Sequence, residues 1–556
     1  MIKAALLRNA IDHGGKADPK VVLSKLIGSD KSILNDIDAV KKRLFAAAKE
    51  LNSKNMYELE QMCKDFGIKR EEKQAHKEGL KPLPDTGGKI VLRLPPEPSG
   101  YMHIGHAISF TINYLYKEKY NGFLWLRFED TNPELVKPEF VEDFKKGIEW
   151  LGIKYDRSKF ISDDMEKIYG YAEKLISNGM AYICTCDADR IKNDREKMKE
   201  CGHRENTQDN NMAMWVRAKE GGMETGSAVL RFKGNMKDKD ASLRDPNIMR
   251  IIKTDYKPYS VWPLYDFASV VEDEMCGVTH ILRSNEFKSS LQARLRSALG
   301  FRVPTVMQYS RFNFKGTLTS KRKVRELIRQ GHIKGWDDVR LATISAIRRR
   351  GIQPEAIREF VKEVGYSSSE HEYNLEMLFT FNRRIIDGKA KRFFFVPNPI
   401  RLEVKDAPHE SIRLPFHPSE KLGYRDVQID GKFFVDKADV ASMKTGDAFR
   451  LKELYSVKLT AKHSDGITCE IYSKEHVEGE KIIQWVTEKN VPLKVIKIGD
   501  LLKENGEFNR DSMNEIHGIA EEGTNEIEEG QIVQFERFGF CRMDDKSRSV
   551  LIFISR

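Results

Sequence analysis

The chain has 556 residues, 40% hydrophobic and 10% aromatic, with 94 basic against 84 acidic side chains and a net charge of +10. That length calls for several domains, and the apolar content excludes a disordered chain; the positive excess fits either a well-solvated surface or a polyanion partner such as nucleic acid. No apolar run approaches membrane-spanning length, the first residues do not read as a secretory leader, and seven scattered cysteines are too few for a disulfide framework, so a reducing cytoplasm is expected.

In residues 1–85, Leu23, Leu26 and Ile27, then Ile37, Val40, Leu44 and Ala47, keep helical spacing, and helices are expected up to the breaker-rich KPLPDTGG. KIVLRL then reads as a buried strand, HAISFTINYLYKEKYNG as a helix with a glycine stop, and FLWLRFEDTNP as a second strand running into a turn. EFVEDFKKGIEWLGI and MEKIYGYAEKLISNG are amphipathic helices. This alternation predicts a parallel, Rossmann-like sheet over residues 86–183 and 256–320, interrupted by an insertion at 184–255. Residues 321–390 read as helical and basic, and 391–556 as short alternating strands of a sandwich or barrel.

Within this order, PPEPSGYMHIGH places a rigid turn and two histidines between a strand and a helix. A helix N-terminus leaves backbone N–H groups unpaired and favours anions, so the turn is a candidate phosphate site. His103 and His106 share one face of the first helical turn and each offers a ring N–H; Gly105 leaves room for a flat ring such as adenine. GTLTSKRK, at 316–323, is a second basic turn, with Ser320 and Lys321 at its centre. Cys184, Cys186, Cys201 and His203 form C-x-C…C-x-H, a donor set suited to closed tetrahedral zinc in a structural role. Lys323, Arg325, Arg329, Arg340, Arg348, Arg349 and Arg350 offer a basic face for RNA or merely for solvent.

Together RLPPEPSGYMHIGH, LRFEDTNPE, YDFASVVEDEMCGVTHILRSNEF, TSKRK and GWDDVRLATISAIRRRG, in this order, resemble the class I aminoacyl-tRNA synthetases of the glutamyl/glutaminyl branch. The likeness covers roughly residues 85–556. The β-rich C-terminal half is similar to the archaeal and eukaryotic glutamyl type, and residues 1–85 to the helical extension of archaeal members. The resemblance implies ATP as substrate with Mg2+, formation of an acyl-adenylate, and transfer to the 3' end of tRNA(Glu), extending in some members to tRNA(Gln). It implies a tRNA acceptor end held by the insertion, an anticodon held by C-terminal β-barrels, and a cytoplasmic monomer. His103, His106 and Lys321 would be catalytic, with Gly105 and Ser320 also at ATP; Lys321 would face the leaving pyrophosphate. Arg93, Asp130, Tyr265 and Arg283 would form the amino-acid pocket, with Asp130 at the ammonium. Arg283 is the residue that separates glutamate from glutamine, because glutaminyl members carry a neutral residue there. The family's loop lysine and methionine are replaced by Leu318 and Thr319, and Ile108 and Ser284 replace a lysine and a glycine common in archaeal members. Glutaminyl-tRNA synthetase, a plain nucleotidyltransferase and a non-catalytic RNA-binding protein of the same fold are the alternatives.

Overall fold

The structure, a computed structural model, describes residues 5–7, 9–10, 17–19, 22–23, 36–54, 58–59, 62–63, 80–318, 320–366, 371–503 and 505–556. The chain divides into two units, Met1–Gly79 and Leu80–Arg556. In the first, α1 (Ile37–Leu51) buries Leu44, Ala48 and Leu51 against Leu6, Leu7 and Leu59. Asn52 follows the helix and ties it back, its Oδ1 accepting from the Ala17 N–H at 2.6 Å. The helical spacing read at Leu26 and Ile27 lies outside the described residues.

The second unit begins with β1 (Val91–Leu94), α2 (Ile104–Lys119), β2 (Phe123–Phe128), α3 (Pro138–Trp150) and β3 (Arg157–Phe160). All four β1 residues are buried, as expected of a strand covered on both faces. On α2, Ile104, Ala107, Ile108, Thr111, Ile112 and Leu115 form one apolar stripe. Asn121, at φ 47°, then turns the chain into β2. The strands β1, β2 and β3 pair in parallel in the order β1-β2-β3. After α4 (Met165–Ser177) comes an antiparallel sheet of β4 (Ala181–Cys184), β5 (Val229–Phe232), β6 (Asn247–Ile251) and β7 (Val261–Pro263), with α5 (Ala188–Glu196) and α6 (Gln208–Lys219) between β4 and β5. Trp215, Met249 and Trp262 of this insertion share one apolar core with α4 and with Phe267, Val270, Leu291 and Leu295 further along the chain.

The parallel sheet resumes after α7 (Tyr265–Met275), with β8 (His280–Ser284), α8 (Ser290–Leu299) and β9 (Thr305–Tyr309). β8 and β9 run parallel, and the Thr279 N–H donates to Val91 O at 3.0 Å, bringing this pair against β1. Then come α9 (Lys321–Arg329), α10 (Ile344–Arg349), α11 (Pro354–Val364) and α12 (Leu375–Ile386).

From Lys391 the chain is β-rich. Lys391–Phe393 and Phe395–Pro397 are the two edges of a seven-stranded sheet whose other strands come from 490–555. The segment between, 399–487, builds a second seven-stranded sheet and the hairpin Glu410–Pro415/Tyr424–Ile429. Each sheet encloses its own apolar core, around Phe535 and Val533 in one and Phe449 and Trp485 in the other. Because one sheet takes its first strands before the other has formed, the two cannot separate as beads on a string.

Candidate active site

His103 is the N-cap of α2. Its Nδ1 accepts from the Gly105 N–H at 3.1 Å, and His106 Nδ1 accepts from the His103 N–H at 3.2 Å. The rings stack with centroids 3.8 Å apart. With both Nδ1 atoms accepting, the neutral ring proton belongs on Nε2 in each. Burial, aided by the charges of Lys321 and Arg311, pushes His103 down to about 4, and burial holds His106 well below its ordinary value. The turn therefore presents two neutral Nε2–H donors beside the positive end of a helix. A Cβ on Gly105 would lie 3.0 Å from His103 Cε1, so glycine is what lets this ring fold back onto the helix end.

GWDDVRLAT braces the same turn. The Ile104 N–H donates to Ala342 O and the Ile344 N–H to Met102 O, both at 2.9 Å, and His103 bridges Thr343 in antiparallel fashion. Tyr101 stacks on Trp336 at 5.0 Å. Lys321 reaches over from the first turn of α9: its Nζ donates to Ser99 Oγ at 2.8 Å, and its Cε lies 2.7 Å from where a Gly100 Cβ would be. Burial lowers the Lys321 ammonium, with Glu97 opposing. Ser320 caps α9 through its side chain; Leu318 is buried in the core beneath; Thr319 lies outside the described residues. The two basic turns, more than two hundred residues apart in sequence, thus meet across Ser99 and Gly100.

Beside them lies a buried charged cluster. Asp273 accepts from Arg127 Nη1 and from Arg296 Nη2, each at 2.8 Å, and Arg93 Nε lies 3.5 Å from it. Burial would raise the Asp273 carboxyl, but the three guanidinia outweigh it and hold it below its ordinary value. Arg93 Nε and Nη1 have no hydrogen-bond partner among the described residues. Arg283, on β8, is 5% exposed, and its hydrogen-bond partners among the described residues are neutral: Gln292, Ser289 and, at 3.5 Å, the Tyr265 hydroxyl. Its Nε is also unpartnered, as is the buried Ser269 hydroxyl one helical turn beyond Tyr265. A surface salt bridge, the ordinary fate of an arginine, is excluded here. Unpaired donors on buried cations are costly to keep, and those of Arg93 and Arg283 are open to an anionic ligand.

Asp130 is placed differently from the expectation. It is fully buried, and both oxygens are engaged, accepting from the Ser162 N–H and the Tyr256 hydroxyl at 3.0 Å each. Glu129 instead accepts from Arg127 Nη2 at 3.0 Å, and its charge is felt by Tyr265. Successive side chains leaving a strand point to opposite faces, so only one of the two acids can meet the pocket. Sequence reasoning also missed Asp273, Arg127, Arg296 and Gln292, whose roles depend on contacts between distant segments; FEDTNP at least carried the adjacent acid pair as a signal.

In the insertion, Cys184, Cys186, Cys201 and His203 converge, their donor atoms all within 4.8 Å of one another. The Sγ–Sγ distances from Cys201 are 3.7 Å to Cys184 and 3.6 Å to Cys186, and His203 Nδ1 lies 3.3 Å from Cys201 and 3.6 Å from Cys186. A tetrahedron with Zn–S of about 2.3 Å and Zn–N of about 2.0 Å requires edges of roughly 3.8 and 3.5 Å, so the donor set fits. Of the seven basic residues offered to RNA, Lys323, Arg325, Arg329 and Arg348 are exposed. The other three are internal ties: Arg340 to Asp338 and Ser512, Arg349 to Asp544, and Arg350 over the Phe379 ring at 4.5 Å.

Comparison with known proteins follows this geometry. Residues 89–387 match the catalytic domain of tRNA synthetases class I (E and Q), and residues 390–474 and 482–544 match two anti-codon binding domains of the same group. The glutamate–tRNA ligase of Nitrosopumilus maritimus is 36% identical over 564 residues, covering 99% of this chain and 98% of its own. That of Pyrococcus abyssi is 36% identical, covering 98% and 96%. A solved glutamate tRNA ligase structure from Elizabethkingia meningosepticum is 20% identical with a TM-score of 0.41, covering 54% of this chain and 70% of that one. The chain belongs to the class I tRNA synthetases of the E and Q group, with the catalytic domain and both anti-codon binding domains of that family.

Proposed function

We propose that this chain is a glutamate–tRNA ligase that activates glutamate with ATP and transfers it to tRNA(Glu). Family membership and the curated relatives support the activity, and ATP with Mg2+ comes with the class I reaction. In the first step a glutamate α-carboxylate oxygen attacks the α-phosphorus of ATP, and pyrophosphate leaves with the electrons of the broken P–O bond. In the second, a hydroxyl at the tRNA 3' end attacks the acyl carbon, AMP leaves with the electrons of the broken acyl–oxygen bond, and the hydroxyl proton passes to the departing phosphate or to solvent. The substrate is the nucleophile, so the protein's work is positioning and charge stabilisation.

The observation that carries the substrate choice is Arg283, a buried guanidinium whose hydrogen-bond partners are neutral and whose Nε has none among the described residues. Its planar fork suits a γ-carboxylate; a neutral amide in its place would leave the charge buried and uncompensated. Arg93, with its unpartnered donors, is assigned to the substrate's carboxylate region and Tyr265 to the pocket wall. The ammonium role falls to Glu129 in place of Asp130, whose oxygens are already engaged. His103 and His106 are assigned to phosphate oxygens through Nε2–H, Gly105 and Ser320 to the ATP-binding turns, and Lys321 to the leaving pyrophosphate. Cys184, Cys186, Cys201 and His203 would hold a structural zinc, which fixes the loop 185–203 against β4. A cytoplasmic monomer is proposed on the family resemblance alone.

Aminoacylation of purified tRNA(Glu) and tRNA(Gln) with labelled glutamate and glutamine tests this reading. Glutamate should be charged onto tRNA(Glu), and the same assay reads whether tRNA(Gln) is also an acceptor. Arg283→Ala should raise the glutamate KM by about a hundredfold or more. Charging of glutamine by the wild type, or an unchanged KM in the variant, overturns the substrate assignment.

A further inference from the structure

Arg283 is held in place without being neutralised, and one amide does most of the holding. Arg283 Nη1 donates to Gln292 Oε1 at 2.9 Å, and Gln292 Nε2 donates to Asp266 Oδ1 at 3.0 Å. Gln292 is 3% exposed, so the amide itself is withdrawn from bulk water. On the other side of the fork, Nη2 donates to Ser289 Oγ at 2.9 Å. The amide's orientation is dictated from both ends: its oxygen faces a cation and its nitrogen a carboxylate.

A carboxylate paired directly with Arg283 would occupy the fork that an anionic side chain needs. Inserting a neutral amide keeps Asp266 one side chain away while still ordering the guanidinium. We propose that Gln292 is a positioning and specificity-determining residue, which orders Arg283 and keeps Asp266 from pairing with it directly, so that the fork stays available to the γ-carboxylate. This rests on the assignment of Arg283 made above.

The alternatives at position 292 show why the residue type matters. Glutamate would accept from Arg283 and neutralise it, while being repelled by Asp266. Methionine would fill similar space but leave both Arg283 and Asp266 short of a partner. Lysine would satisfy Asp266 and repel Arg283. Only an amide donates on one side and accepts on the other at this reach.

The test is steady-state aminoacylation of tRNA(Glu) by the full chain, comparing wild type, Q292E, Q292M and R283A. Q292E should raise the glutamate KM by about tenfold or more, with the ATP KM within about twofold of wild type, a split that general loosening would not produce. Inhibition by glutamine should strengthen relative to glutamate in the same variant, because the fork no longer rejects a neutral side chain. Q292M keeps the charge but loses the order, and should raise the glutamate KM by about three- to tenfold; it stands as the second measurement should Q292E not fold. An unchanged glutamate KM in the folded variants, or a parallel rise in the ATP KM, overturns the positioning role. If R283A itself leaves the glutamate KM unchanged, the assignment of Arg283 fails instead.

Discussion

Gly100 sits where any side chain would strike Lys321, its ideal Cβ lying 2.7 and 2.8 Å from that residue's Cε and Cδ. The obstructing atoms belong to the far end of a flexible side chain, so Gly100→Ala should cost little stability, about 0.5 kcal/mol or less. It should instead push the ammonium off Ser99 and away from the phosphates. Loss of one such charge contact at a reacting phosphate predicts a fall in adenylation of about ten- to a hundredfold, read by pyrophosphate exchange in the presence of tRNA; an unaffected rate would remove Lys321 from the leaving-group role. The histidine pair makes a separate prediction. His103 is pushed down to about 4 in the folded protein, against an ordinary value of 6.5, and burial holds His106 well below that ordinary value too. Between those values the unfolded chain binds protons that the native state refuses. Stability from these groups is therefore complete above pH about 6.5 and is lost as pH falls toward 4. Denaturant unfolding followed from pH 7 to 4 should flatten in His103→Asn, and an unaltered slope would show that the ring is not buried neutral.

At the scale of elements, the segment carrying Cys186, Cys201 and His203 leaves β4, runs through α5 and leads into α6. Tyr182 Oη donates to Asp245 at 3.0 Å, and Arg204 donates to both oxygens of the same carboxylate, so the knuckle and β4 share one buried acid. Wild-type protein should carry about one zinc per chain, and Cys186→Ser should lose most of it and become more sensitive to proteolysis within 185–206. Equal zinc in the two proteins removes the metal assignment. The elements themselves were largely legible in the sequence, for physical reasons. KIVLRL, FLWLRF and the stripe from Ile104 to Leu115 have the periods of a buried strand and an amphipathic helix, and the structure follows them. C-x-C…C-x-H was legible because its donors are close in sequence. Strand β3, RSKF, was not, since it carries charge at an edge and owes its pairing to β2 rather than to its own pattern. Which of the adjacent acids Glu129 and Asp130 takes which face was not legible, because the face a residue takes at a strand's end depends on the turn beyond. The RRR run illustrates the same limit: Arg349 and Arg350 are spent on Asp544 and Phe379, partners that no local pattern reveals.

Across the whole Leu80–Arg556 unit, the loop at 499–512 of the sheet that closes the C-terminal region reaches the segment carrying the second basic turn. Leu501 is buried in one core with Leu318, Val324, Leu327 and Leu341. Phe508 stacks on His332 with centroids 4.2 Å apart, and the Arg340 guanidinium lies 5.6 Å from its ring while donating to Ser512 at 3.0 Å. Gly316, at φ 74°, leaves room for Asp500, whose Oδ1 lies 2.6 Å from the ideal Cβ position. The β-rich half therefore holds the base of the Lys321 turn directly, and a disturbance of this contact reaches Lys321 without crossing the parallel sheet. Phe508→Ala should remove the ring stack and the cation contact, together worth about 1–2 kcal/mol at a half-buried site. The expected outcome is a fall in the kcat of aminoacylation by about three- to tenfold, with the tRNA KM within about twofold of wild type, since Phe508 braces the turn and leaves the barrel cores intact. Hydrogen exchange should quicken across 320–333 in the same variant. A raised tRNA KM with unchanged kcat and exchange would mean that the loop serves RNA binding alone and that the Lys321 turn is braced from elsewhere.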